Sequence, residues 1–257
     1  MKRFYLILIA FFSILLTACG TASSDSEKEE ELVISAAASL KNVLTEIASI
    51  YKEDTLRFNF GASGALQQQI SQGAPADLFF SAAEDKFQQL VDEGVINANE
   101  GSPLLRNELV LIQAKNSTFQ LSGIADLTNE EVKKLSIGTP EAVPAGKYAQ
   151  QSLEALNVWE NVHAKIVFAK DVRQVLNYVE TESVDAGLVY KTDALSSTKV
   201  RVAAVVSPAT HDPIIYPAGV IKTSSHREQA LAFYHFLQSE KARIIFEKYG
   251  FTSVESQ

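Results

Sequence analysis

The chain has 257 residues, 46% of them hydrophobic, and a formal net charge of −8. That length suits one large domain or two small ones. The acidic balance argues against nucleic-acid binding and against gathering anions through a broad positive field, so an anionic ligand would have to be held by local dipoles. One cysteine excludes an internal disulfide.

Met1, Lys2 and Arg3 precede an apolar run from Phe4 to Leu16. A basic start followed by a short apolar stretch predicts a secretory signal over residues 1–18. The run is shorter than the roughly 20 residues a spanning helix needs. It ends in Leu16-Thr17-Ala18-Cys19, which resembles the bacterial lipobox. That resemblance implies cleavage before Cys19 and lipidation of its thiol. Loss of Lys2 and Arg3 takes the net charge to −10. Residues 19–31 carry no apolar period and are expected to form a disordered, solvated tether. The mature protein is therefore expected outside the cytoplasm, lipid-anchored to the cell membrane.

From Leu32 the pattern is strand, then helix, repeated. Leu32 to Ser35 reads as a strand, and Leu40, Val43, Leu44 and Ile47 recur at helical spacing. Arg57 to Phe60 alternates as a strand does, Leu66 to Ser71 reads as a helix, Asp77 to Phe80 as a strand, and Phe87 to Val91 as a helix. After a loop at Gly101-Ser102-Pro103, Leu109 to Ile112 opens a second series. It runs through strands at Leu135 to Gly138, Lys165 to Phe168, Asp185 to Tyr190 and Val200 to Val206, with helices at Ala145 to Leu156 and Val172 to Glu180. A strand at Ile215 to Ile221 and helices at Arg227 to Leu237 and Lys241 to Tyr249 complete the chain. Alternating strands and helices imply parallel β-structure covered by helices. Two consecutive series imply two α/β lobes. Residues 32–108 plus 215–257 are expected to form lobe 1 and residues 109–214 lobe 2, each a mixed, mostly parallel sheet flanked by helices.

In open α/β sheets a ligand sits beyond the carboxyl ends of the strands. Helix N-termini there present free N–H groups and partial positive charge, an anion site without any charged side chain. Four junctions and one strand end fit this description. Ala36-Ala37-Ala38-Ser39-Leu40 and Gly61-Ala62-Ser63-Gly64-Ala65 each set one serine among small residues, where it can cap a helix or reach a ligand. Pro140-Glu141-Ala142-Val143-Pro144-Ala145-Gly146 places Pro144 in the first turn, which leaves the Ala145 amide free to donate. Ala169-Lys170-Asp171-Val172-Arg173 offers Asp171 as a cap and the Val172 amide as a donor. Tyr190, near the end of a strand, brings a hydroxyl. Small residues at such turns also serve tight strand–helix packing. Hydroxyl and amide donors without lysine, arginine or metal suit a fully deprotonated oxyanion.

At these residues the sequence resembles the molybdate-binding proteins of ABC importers, within the type II periplasmic-binding-protein fold. The motifs stand here as Ala36-Ala37-Ala38-Ser39-Leu40, Gly61-Ala62-Ser63-Gly64, Gly73-Ala74-Pro75-Ala76-Asp77-Leu78, Val143-Pro144-Ala145-Gly146, Asp171-Val172-Arg173, Gly187-Leu188-Val189-Tyr190 and Lys248-Tyr249-Gly250-Phe251. The resemblance runs from about Leu32 to Thr252. It implies that Ser39, Ser63, Ala145, Val172 and Tyr190 hold the oxyanion, molybdate or tungstate. It also implies that the closed, liganded form docks on an ABC permease driven by its ATPase. No cofactor, no protein-coordinated metal and no nucleic acid are expected, and a monomer is. Lys170 departs from the family pattern and is expected to be a solvated surface lysine.

Two alternatives stay open at this point. The same fold could hold sulfate, phosphate or a small organic acid. A serine hydrolase is the more remote one: Gly61-Ala62-Ser63-Gly64-Ala65 nearly matches the Gly-x-Ser-x-Gly elbow but has Ala65 at the fifth position. The histidines, His163, His211, His226 and His235, lie in no triad motif. Asp77, Arg173 and Asp185 read as structural.

Overall fold

A computed structural model describes residues 31–254. The expected signal segment, Cys19 and the expected tether up to residue 30 lie outside the described residues. The described residues form one compact unit.

The first series comprises β1 (Glu31–Ala37), a 3-10 turn (Ala38–Leu40), α1 (Lys41–Ile50), β2 (Thr55–Gly61), α2 (Ser63–Ser71), β3 (Leu78–Phe80), α3 (Glu84–Asp92) and β4 (Ile96–Arg106). The second comprises β5 (Leu109–Ala114), β6 (Leu135–Gly138), α4 (Pro144–Ala155), α5 (Trp159–Val162), β7 (Ile166–Ala169), α6 (Val172–Glu180), β8 (Ala186–Tyr190), α7 (Lys191–Leu195) and β9 (Val200–Val205). Last come β10 (Ile215–Ile221), α8 (Arg227–Leu237), α9 (Glu240–Lys248) and β11 (Thr252–Ser253).

Helical period decides which faces are buried. In α6, Val172, Val175, Leu176 and Val179 are buried along one stripe. Asp171 starts that helix by accepting the Gln174 N–H at 2.9 Å. Burial of each such side chain stabilises the fold by about 1.5–3 kcal/mol.

The strands form a six-stranded sheet, in the order β11-β4-β10-β3-β1-β2, and a five-stranded sheet, β7-β6-β8-β5-β9. The chain passes from the first sheet to the second between Arg106 and Leu109 and returns between Val205 and Ile215. The C-terminal segment rejoins the first sheet: β10 pairs with β3 and β4, β11 pairs with β4, and α9 packs on α1.

Two expectations need correction. The sheets are mixed but not mostly parallel, since four of the nine pairings are parallel and five antiparallel. Every antiparallel pairing involves β4, β5 or β10, the strands that carry the chain between sheets and run against the βα series. Gly101-Ser102-Pro103, expected as a loop, lies inside β4. Pro103 faces Pro217 of β10 at a register shift, the kind of irregularity where a residue without an N–H is tolerated in a sheet.

Candidate functional site

Parallel register brings the junctions together. Ala37, the last residue of β1, pairs with Gly61, the last of β2. Gly138 of β6 likewise pairs with Ala169 of β7. Flush strand ends place the helical segments that follow side by side, with their N-termini at one edge of each sheet.

Between the two edges lies a small cavity of about 10 Å³. Ser39, Ser63, Ala145, Val172 and Tyr190 all line it. Each is at most 5% exposed. The first two come from the six-stranded sheet, the other three from the five-stranded sheet. Lys170 is exposed and does not line the cavity. Among the described residues no histidine lines it and no cluster of potential metal ligands occurs.

The serines do not cap their helices. The N-cap positions are Ala37 and Ala62, and neither helical segment has a side-chain cap. Ser63 stands at the first position of α2, where its Oγ accepts the Ala82 N–H at 2.9 Å. Ser39 sits within the 3-10 turn, its Oγ 3.0 Å from the Tyr216 hydroxyl. Ala145 follows Pro144 in the first turn of α4, and Val172 is the first residue of α6. Neither amide donates to any described residue. These are the orphan N–H groups of helix N-termini, and they carry the positive end of the helix dipole.

Tyr190 completes the set. Its ring meets that of Tyr216 edge-on, centroids 5.7 Å apart. Its hydroxyl is buried and has no hydrogen-bond partner among the described residues. Burial raises its pKa well above the ordinary tyrosine value, so it stays protonated as a donor. A buried hydroxyl left unpaired costs about 1–3 kcal/mol, and such a group facing a cavity points to a ligand. Asp171, the one carboxylate that lines the cavity among the described residues, is occupied at Oδ1 by the Gln174 N–H.

Direct bonds join the two lobes around the cavity. The Gly64 N–H donates to the Ala142 carbonyl at 3.0 Å. A Cβ on Gly64 would lie 2.7 Å from that oxygen, so only glycine permits this approach. Arg173 Nη2 donates to Asn42 Oδ1 at 3.1 Å, and Lys147 Nζ stands 3.4 Å from Asp85 Oδ2. Arg173 also pairs with the fully buried Asp193 at 3.1 Å. Asp77 and Asp185 likewise accept backbone N–H groups, from Val33 and from Lys133 and Lys134.

Residues 32–252 match the family of bacterial extracellular solute-binding proteins. The chain belongs to that family. Over 259 aligned residues this solute-binding protein is 50% identical to YvgL of Bacillus subtilis (strain 168), provisionally named an ABC transporter substrate-binding lipoprotein, with 98% of this chain and 99% of the relative covered. It is 35% identical to the molybdate-binding protein ModA of Escherichia coli (strain K12), again over 98% and 99% of the two chains. Among solved structures, it superposes on the substrate-binding domain of a provisionally assigned molybdenum ABC transporter from Clostridium difficile. The TM-score is 0.68 at 44% identity, covering 88% of this chain and 99% of that one. The two mixed sheets flanked by helices are those of the two-lobed type II periplasmic-binding-protein fold.

Sequence reasoning missed Tyr216, Asn107, the Gly64–Ala142 contact and the buried Asp193. Tyr216 lies in the apolar run of β10 and reads as ordinary core. The pairing of Gly64 with Ala142 joins residues on different sheets, and neither carries a local signal.

Proposed function

We propose that this solute-binding protein is a receptor for molybdate, and for tungstate of nearly equal size, which it delivers to an ABC permease driven by its ATPase. The oxyanion sits in the cavity between lobes 32–108 plus 215–257 and 109–214. The Ser39, Ser63 and Tyr190 hydroxyls and the Ala145 and Val172 amides hold it. The observation that carries this reading is the convergence of five buried neutral donors, from both sheets, on one cavity lined by no cationic side chain. The names of the relatives support it.

The chemistry follows from the donor set. A fully deprotonated oxyanion offers only acceptors, and each of the five groups can donate to it. Each charge-assisted hydrogen bond contributes about 1.5–3 kcal/mol net. Several together reach the roughly 8 kcal/mol that micromolar affinity requires. The anion binds one lobe first, and the other closes over it. A ligand drives closure only through contacts it makes better in the closed state, and donors divided between lobes supply that difference. Sulfate, with shorter bonds to oxygen, fails to reach all the donors, and each buried donor left unpaired costs about 1–3 kcal/mol.

Cys19 carries the lipid, residues 19–31 tether the fold to the outer face of the cell membrane, and the receptor works as a monomer without cofactor or catalytic activity. Ser63 has no histidine beside it to act as base among the cavity residues, so the hydrolase reading has no support from the site.

Titration calorimetry with molybdate, tungstate and sulfate tests the proposal. Micromolar or tighter binding of the first two and weak binding of sulfate are expected. Tight sulfate binding with no heat from molybdate would reject it.

A further inference from the structure

A site made of hydroxyl donors works only if the hydroxyl protons point at the ligand. For Ser63 the backbone ensures this. The Ala82 N–H donates to its Oγ at 2.9 Å, so the oxygen is used as an acceptor and the proton is left for the cavity. Ser39 has no such amide. Its Oγ lies 3.0 Å from the Tyr216 hydroxyl, and by distance either group can be the donor.

Asn107 breaks the tie. Its Oδ1 accepts the Glu108 N–H at 2.9 Å, which fixes the orientation of the side-chain amide. Nδ2 then donates twice, to Thr192 Oγ1 at 2.9 Å and to the Tyr216 hydroxyl at 3.2 Å. The Tyr216 oxygen is therefore already an acceptor. Its own proton is fully buried and needs a partner. Ser39 Oγ, 3.0 Å away, is the acceptor placed within hydrogen-bond distance to take it. Burial raises the Tyr216 pKa well above the usual tyrosine value, so that proton is retained.

We infer that Tyr216 and Asn107 are positioning residues that commit the Ser39 hydroxyl to donate into the cavity, and thereby favour a fully deprotonated dianion over an oxyanion that keeps a proton. The proton order runs from Asn107 to Tyr216 to Ser39 to ligand. Without it, Ser39 can rotate and offer a lone pair, which a protonated oxyanion such as hydrogen phosphate can use. Asn107 also sits where the chain crosses between lobes, its N–H donating to the Ile214 carbonyl of the return crossing at 3.2 Å. The order is thus held by the hinge region rather than by the ligand pocket itself. This inference rests on the site proposed above.

The test is a double-mutant cycle read by calorimetry, with molybdate and hydrogen phosphate as probes. The proteins are the unaltered chain, Ser39→Ala, Tyr216→Phe and the double variant. Tyr216→Phe is expected to weaken molybdate about tenfold, roughly 1.4 kcal/mol, and to narrow the preference for molybdate over hydrogen phosphate by a similar factor. In the Ser39→Ala background it should change neither, because a residue that acts through Ser39 has nothing left to position. Equal losses with and without Ser39, or no loss in either, would overturn the relay. Unaltered molybdate binding in Ser39→Ala would instead reject the site. Asn107→Ala, at a half-buried position, should repeat the pattern and stands in if Tyr216→Phe does not fold.

Discussion

Val172→Pro separates the role of one backbone amide from that of its side chain. Val172 is the first residue of α6, and its N–H bonds to no described residue. Proline is favoured at that position because its missing N–H is an orphan in any case. The preceding Asp171 has φ −159° and ψ 169°, extended backbone of the kind that proline demands before it. The Asp171 cap to Gln174 and the bond from the Val175 N–H to the Asp171 carbonyl involve other atoms and survive. The backbone change should therefore cost little, and the unliganded protein should lose only the packing of the buried Val172 side chain that proline does not replace, about 1 kcal/mol. Removal of one charge-assisted donor should cost about 1.5–3 kcal/mol of binding, a loss of roughly 10- to 150-fold in affinity. At a molybdate concentration of 100 Kd the unaltered protein gains about 2.7 kcal/mol of stability from ligand. A thirtyfold weaker variant at that concentration gains only about 0.9 kcal/mol. Thermal unfolding with and without molybdate, beside calorimetry, reads both quantities. Unchanged affinity in a folded Val172→Pro protein would refute the assignment of this amide to the ligand.

Gly64→Ala should leave each lobe folded but hold them apart, because the added Cβ meets the Ala142 carbonyl at 2.7 Å. Weaker molybdate binding and a larger radius of gyration in the presence of ligand, by small-angle scattering, are the expected results. Asp193 is fully buried, and burial raises its pKa to about 6 against the opposing pull of Arg173. The folded state holds this proton more tightly than the unfolded chain, so the carboxyl costs stability progressively as pH rises from about 4 to about 6, by roughly 3 kcal/mol in all. Asp193→Asn should remove that slope, measured as urea unfolding at pH 4.5 and 7.5. An unchanged difference between the two pH values would contradict it.

The elements with strong local signals were legible in the sequence. Val172–Glu180, Ile215–Ile221 and Arg227–Leu237 coincide with their expected spans. In α6 a true cap, Asp171, and an unbroken apolar stripe fix both the start and the face. β4 was not legible, because Gly101, Ser102 and Pro103 carry turn chemistry that only pairing with β10 overrides. The five junction residues named from sequence come to one cavity, since flush parallel strand ends are a consequence of the fold class. What surrounds them was not readable. A tyrosine in mid-strand and an asparagine between strands look ordinary until the fold sets Tyr216 against Ser39, 177 residues away in sequence.

Closure and selectivity are, on the proposed reading, one physical event. The net charge of −8 repels a dianion at long range, but at physiological ionic strength charges beyond about 8 Å are largely screened. Affinity must then arise within hydrogen-bond distance, where geometry is decisive. Ser39 and Ser63 go with one sheet and Ala145, Val172 and Tyr190 with the other, and Gly64 meets Ala142 between them; on the proposed reading the second group acts only once that contact forms. An anion of the wrong size or protonation leaves at least one donor unmet in the closed form and gains nothing by closing. On that reading such an anion is held by one lobe alone, and only an anion that meets donors from both lobes reinforces the Gly64–Ala142 contact between them.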